Sequence, residues 1–232
     1  MNTKEITSYI EEYKKNIDWI NSQEIYKWHA IKHFQDNFDI NSQDLYSNLE
    51  VSLSKASNLL DSGYYYPKRM LLANVQKTPE KIRSLFQYLF NEELDILERI
   101  QVFHSELKSL NKENFGYDKN DYQDHRAIIV YLTLNYPERY FLYKFKMFKD
   151  FTSTINFPYT PIRGRIENIG QYLNICELIR NEIEKDNELI GIHESRLDKN
   201  CYRDKRHNVL TQDFIYAVVR YINKPQILQE KK

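Results

Sequence analysis

Leu94, Leu97, Ile100, Phe103, Leu107 and Leu110 recur at steps of three and four, the spacing that lines side chains along one face of an α-helix. No other feature constrains the architecture as strongly, because the same stripe returns elsewhere. Ile6, Ile10, Tyr13 and Ile17 draw it near the start, Ile25, Trp28, Ile31 and Phe34 repeat it, and Leu45, Leu49, Leu53, Ala56 and Leu60 repeat it again. An apolar stripe on a helix must be covered, and the cheapest cover is another striped helix. Breakers are scarce: 5 glycines and 6 prolines in 232 residues cannot supply the turns of a sandwich or barrel. The expected fold class is all-α, an irregular multi-helix bundle. One segment resists this reading. In "RYFLYKFKMFKDF" Lys144 and Lys146 alternate with aromatics as in a strand, while Phe141, Phe145 and Phe148 suit a helix; a helix is expected, with room for a short β element near 140–146.

Local signals place the helix ends. Ser22 is the expected cap of a helix running to Asn37, and Asn41 of one stopping at Ser62-Gly63. Thr78 with Pro79 opens another, and Asn91 precedes the long stripe. "NKENFGYDKNDYQD" reads as a polar connection, and Pro137 ends the apolar run "HRAIIVYLTL". "FPYTPIRG", with two prolines close together, is the best internal boundary. It divides a main helical domain, 1–157, from a C-terminal helical subdomain, 158–232, packed on it, unless both form a single domain.

Charge and cysteine content narrow the class further. Lys plus Arg number 33 and Asp plus Glu 33, so any nucleic-acid contact must come from a local patch rather than from the whole-molecule field. The 2 cysteines, Cys176 and Cys201, are far apart and in no metal-binding spacing, which predicts a reducing, cytoplasmic setting. No apolar run suits a membrane span, so no membrane partner is expected.

Four constellations carry possible chemistry. His29 and His33, one helical turn apart, have metal-ligand spacing, but Lys32 lies beside them and no H-E-x-x-H is present; no metal is expected. "YYYPKRM" sets Tyr64, Tyr65 and Tyr66 against Lys68 and Arg69, the combination that stacks bases and neutralises phosphate. "YQDHRAI" holds Asp124, His125 and Arg126 at the entry to a buried helix, either as an acid, base and phosphate clamp or as a helix cap. "CYRDKRHN" gathers Arg203, Lys205, Arg206 and His207. Arginine with histidine can perform ribonuclease chemistry, but the four-to-six-residue separation of HEPN ribonucleases is missed by Arg203 and His207, and a solvated basic loop is preferred. Gly-rich phosphate loops, G-x-S-x-G elbows and nuclease carboxylate series are all missing, so no catalytic residue and no cofactor are assigned.

Three stretches, "YKWHAIKHFQDNFDI", "DHRAIIVYLTLNYPERYFLYKFKMFKDF" and "LTQDFIYAVV", resemble the N-terminal region of McrB-type AAA+ proteins of bacterial restriction and defence systems. There that region precedes an EVE-like domain and the motor. The resemblance implies a non-catalytic recognition or adaptor domain that contacts nucleic acid, modified or single-stranded, and works with an AAA+ motor or nuclease subunit. The contacting residues expected are Tyr64, Tyr65, Tyr66, Lys68, Arg69, Arg126, Arg203 and Arg206. The alternatives are a protein-interaction module that recruits the motor or nuclease, and a HEPN-like ribonuclease.

Overall fold

The computed structural model describes residues 3–61, 63–116, 122–224 and 226–227. Through them run α1 (Thr3–Lys15), α2 (Ile17–Glu24), α3 (Tyr26–Asn37), α4 (Leu45–Ser52), α5 (Ser57–Leu60), α6 (Pro67–Lys77), α7 (Pro79–Leu89), α8 (Ile96–Phe115), α9 (His125–Asn135), α10 (Phe145–Thr154), α11 (Glu167–Ile183), α12 (Asn187–Arg196) and α13 (Asn208–Ala217). A 3₁₀ turn covers Ser54–Ala56, and a π-helical turn, Val218–Ile222, continues α13. The fold is all-α, and no β-strand occurs among the described residues.

Thr78 precedes α7 with Pro79 in its first turn, as expected, whereas two other caps differ from those expected for a shared reason. Asp44, not Asn41, caps α4 by accepting from Ser47 N at 3.0 Å. Asp95, not Asn91, caps α8 by accepting from Leu97 N and Glu98 N at 2.9 and 3.1 Å. In both helices a carboxylate sits nearer the first apolar residue, where it meets the unpaired amides and the positive end of the helix dipole. Ser22 lies inside α2, its hydroxyl donating to Trp19 O, and the expected single helix divides at Ile25 into α2 and α3. Around 140–146 the chain is non-helical only to Lys144, whose backbone is extended but paired in no sheet; α10 then begins at Phe145. Ser62 and 117–121 of the polar connection lie outside the described residues.

The described chain forms two compact units, 29–136 and a second built from 1–28 with 137–232. The division falls within α3 and at Tyr136–Pro137, and the Phe157–Pro158 stretch lies inside the second of these units.

In the unit of 29–136, α8 packs on α6, α7 and α9. Ile100, Phe103 and Leu107 of its stripe are fully buried. Every residue of α9 from Ala127 to Leu134 is buried, as its unbroken apolar run requires. Phe86 meets Phe90, Phe103 and Tyr131 with ring centroids 5.2 to 5.5 Å apart. Burial of one such ring contributes roughly 1.5–3 kcal/mol.

In the unit of 1–28 and 137–232, α13 packs against α1, α10 and α11. Its residues from Asn208 to Ile215 are all buried, polar ones included. Asp213 is therefore an ion with no access to water, and its neighbours answer it. Lys27 Nζ donates to its Oδ1 at 2.7 Å and the Tyr13 hydroxyl to its Oδ2 at 2.6 Å. Lys27, itself buried, also pairs with Glu24 at 3.1 Å, and Glu24 accepts from the Tyr221 hydroxyl. A chain of this kind costs heavily if any member is removed, because each leaves a buried charge behind.

Candidate functional site

Tyr64 to Arg69 form the entry to α6, with Pro67 at its first turn, where a missing N–H leaves no helical bond unmade. The loop divides into an anchored half and a displayed half. Tyr65 is anchored: its hydroxyl donates to Asp124 Oδ1 at 2.8 Å, and the Arg126 guanidinium lies 4.6 Å from its ring centroid. Burial and the Asp124 carboxylate push the Tyr65 phenol well above its ordinary pKa. Arg126 Nη2 donates to Leu59 O at 2.9 Å, and Lys68 Nζ to Ser57 Oγ at 2.6 Å. Asp124 also accepts from Ala127 N at 3.0 Å, the helix-capping alternative weighed for "YQDHRAI".

The displayed half is Tyr64 and Arg69, with Tyr66 half-buried beside them. Tyr64 is 98% exposed, an arrangement that gives an aromatic ring nothing in folding energy. Arg69 is exposed, pairs loosely with Asp61 at 3.6 Å, and lies over the Tyr66 ring at 4.6 Å. The pair presents a flat cationic surface beside a bare tyrosine. Sequence spacing grouped all five loop residues as equivalent; only the contacts of Tyr65 and Lys68 separate them.

Arg203 and Arg206 stand in the other unit, on the loop before α13. Arg203 Nη1 donates to Leu197 O at 3.0 Å, and Arg206 is exposed. Although Arg203 and His207 miss the ribonuclease spacing, both line one cavity of about 400 Å³ together with His193, Glu194, Asp204 and Lys205. His193 carries no signal in the sequence, where it sits alone in "LIGIHESRL". Burial, with the Arg196 and His207 charges nearby, pushes its pKa down to about 2. Arg196 Nε donates to His193 Nδ1 at 3.3 Å, which leaves the ring proton on Nε2. Asp204 is held by Leu210 N at 2.8 Å and caps α13; burial raises its carboxyl to about 6. His207 adopts a left-handed backbone, φ 55°, and its Nδ1 lies 3.1 Å from Glu184 Oε1. A neutral imidazole locked by arginine, a carboxylate serving as a cap and a second imidazole tied to Glu184 make a structured loop rather than a poised acid–base pair.

The His29/His33 spacing meets a similar end at His33. Its Nε2 lies 2.9 Å from both Val51 O and Ser54 Oγ, so the ring is committed within its own unit. Both cysteines are buried thiols, raised by burial, Cys201 to about 11, which keeps it protonated and unreactive. No described helix is long and apolar enough to cross a membrane.

No family model, no curated protein and no solved structure matches this chain.

Proposed function

We propose that this chain is a non-catalytic recognition domain that holds nucleic acid on the Tyr64, Tyr66 and Arg69 surface. One observation carries the reading: a tyrosine 98% exposed stands beside an arginine stacked on a second tyrosine. Base stacking on the free ring, with Arg69 against phosphate, uses both features. Tyr65, Lys68 and Arg126 serve by fixing the loop rather than by touching the ligand. A McrB-like restriction system, with an AAA+ motor or nuclease alongside, rests on the resemblance of the three quoted stretches, and a cytoplasmic setting rests on the spacing of Cys176 and Cys201.

The test is fluorescence anisotropy with labelled single-stranded, duplex and methylated duplex oligonucleotides at two salt concentrations. Binding that weakens with salt and falls in Tyr64→Ala and Arg69→Ala supports the proposal. Absence of binding to all three probes refutes it. The same exposed tyrosine favours a second reading, a protein-interaction surface, since tyrosines anchor interfaces. Co-purification of a motor or nuclease subunit that is lost in Tyr64→Ala and insensitive to salt would choose it.

A further inference from the structure

A different concavity lies in the unit of 1–28 and 137–232, where α10 and the π-helical turn pack together. Its volume is about 290 Å³, and its charged lining comprises Lys144, Lys146, Arg220, Lys224 and Asp150. Four cations thus meet one carboxylate in a chain whose total charge is zero. Asp150 accepts from Lys146 Nζ at 2.6 Å and offsets that lysine alone, and the lining offers no second carboxylate to Arg220 and Lys224. Positive charge gathered in a depression focuses the field more than the same charge spread over a convex face.

The remaining walls are a ring and two apolar side chains, Tyr216, Met147 and Val219. Tyr216 is held by its neighbours. Lys27 Nζ lies 4.7 Å from its centroid, and the Tyr221 ring meets it edge-on at 5.8 Å. Lys27 and Tyr221 are in turn fixed by the buried Asp213 and Glu24 carboxylates. The wall is therefore preorganised, the condition under which a stacking surface binds without ordering cost. The backbone is adapted too. Asn223 N bonds to Val218 O at 3.1 Å, five residues back, and this wide turn contributes Val219 and Arg220 to the lining. Turns of this kind are rare and cluster at functional sites.

We propose that this cavity binds a nucleoside monophosphate, the planar base against Tyr216, Met147 and Val219 and the phosphate between Arg220 and Lys224. Size supports one nucleotide rather than several, for the volume of about 290 Å³ lies just below the roughly 300–1,000 Å³ of ligand cavities. The chemistry is shared by a free nucleotide and by the 5′-phosphorylated end of a strand. The site is separate from the Tyr64 surface and does not depend on that reading.

Isothermal titration with adenosine monophosphate, adenosine and inorganic phosphate tests it, in the full chain and in the double variant Arg220→Gln, Lys224→Gln. Both side chains reach solvent, so the variant should fold; unchanged circular dichroism checks this. Adenosine monophosphate is expected to bind about tenfold or more tighter than either fragment, and to lose about tenfold or more in the variant. Tyr64→Ala should leave it unchanged, which separates this site from the nucleic-acid surface. A short oligonucleotide with and without a 5′-phosphate, compared with the free nucleotide, assigns the source. Equal affinity for adenosine and its monophosphate, an undiminished affinity in a folded variant, or no heat at millimolar nucleotide would each overturn the proposal.

Discussion

Lys27→Met is the most searching perturbation of the buried ion chain. Methionine preserves the length and apolar stem of lysine and removes only the ammonium. Asp213, with no exposed surface, then keeps the Tyr13 hydroxyl at 2.6 Å and Arg196 Nη2 at 3.8 Å. Glu24 keeps the Tyr221 hydroxyl. Leaving a buried charge short of its partner costs about 3–5 kcal/mol, and the residual Arg196 contact argues for the lower half of that range. For a chain of this length each kcal/mol is worth about 2–4 °C, so the melting temperature should fall by roughly 6–15 °C. Asp213→Asn should cost a similar amount, since it strands Lys27 beside Glu24 alone. The double variant should then cost less than the sum of the two by about 2 kcal/mol or more, because it removes both charges together. Urea unfolding followed by tryptophan emission measures this directly: the 2 tryptophans, Trp19 and Trp28, both belong to the unit of 1–28 and 137–232. A Lys27→Met protein within about 1 kcal/mol of the parent, or strictly additive single variants, would show that the ion chain is not what holds this unit together.

Other outcomes follow from single contacts. His193 has its pKa depressed in the folded protein to about 2, so its contribution is fully present above the unfolded value near 6.5 and is lost as pH falls below it. Urea midpoints at pH 7 and pH 5 should therefore converge in His193→Gln relative to the parent; an unchanged difference between the two pH values would refute the assignment. Gly116 ends α8 with φ 74° and open space around it, so Gly116→Ala should cost about 1 kcal/mol from backbone strain alone, read from the same urea curves. Arg126→Ala removes the bond to Leu59 O and the stack on Tyr65, and should lower stability by about 1–2 kcal/mol while oligonucleotide anisotropy loses less than in Arg69→Ala.

The helices were legible where periodicity is strong. Ile100, Phe103 and Leu107 are buried as their spacing requires, and the breaker-poor composition matches the absence of strands among the described residues. Helix starts were less legible, because several short polar residues precede each apolar run and only the carboxylate that reaches the free amides becomes the cap, as Asp44 and Asp95 do. The candidate surface was half legible. "YYYPKRM" announces aromatics and cations, but which of them remain on display depends on Asp124 and Ser57, partners distant or silent in sequence. His193 and the Tyr216 cavity were not legible at all, since each is defined by residues brought together from separate segments.

The hydrogen bond from Tyr13 to Asp213 joins positions 200 residues apart. On a ribosome adding about 5–20 residues each second, the first helix must wait on the order of 10–40 s for the carboxylate it will serve. Residues 29–136, by contrast, carry their packing partners within one uninterrupted stretch and can condense as they emerge. Nascent α1, with its apolar face uncovered throughout that delay, is the segment where an early-acting chaperone would be expected to hold this chain.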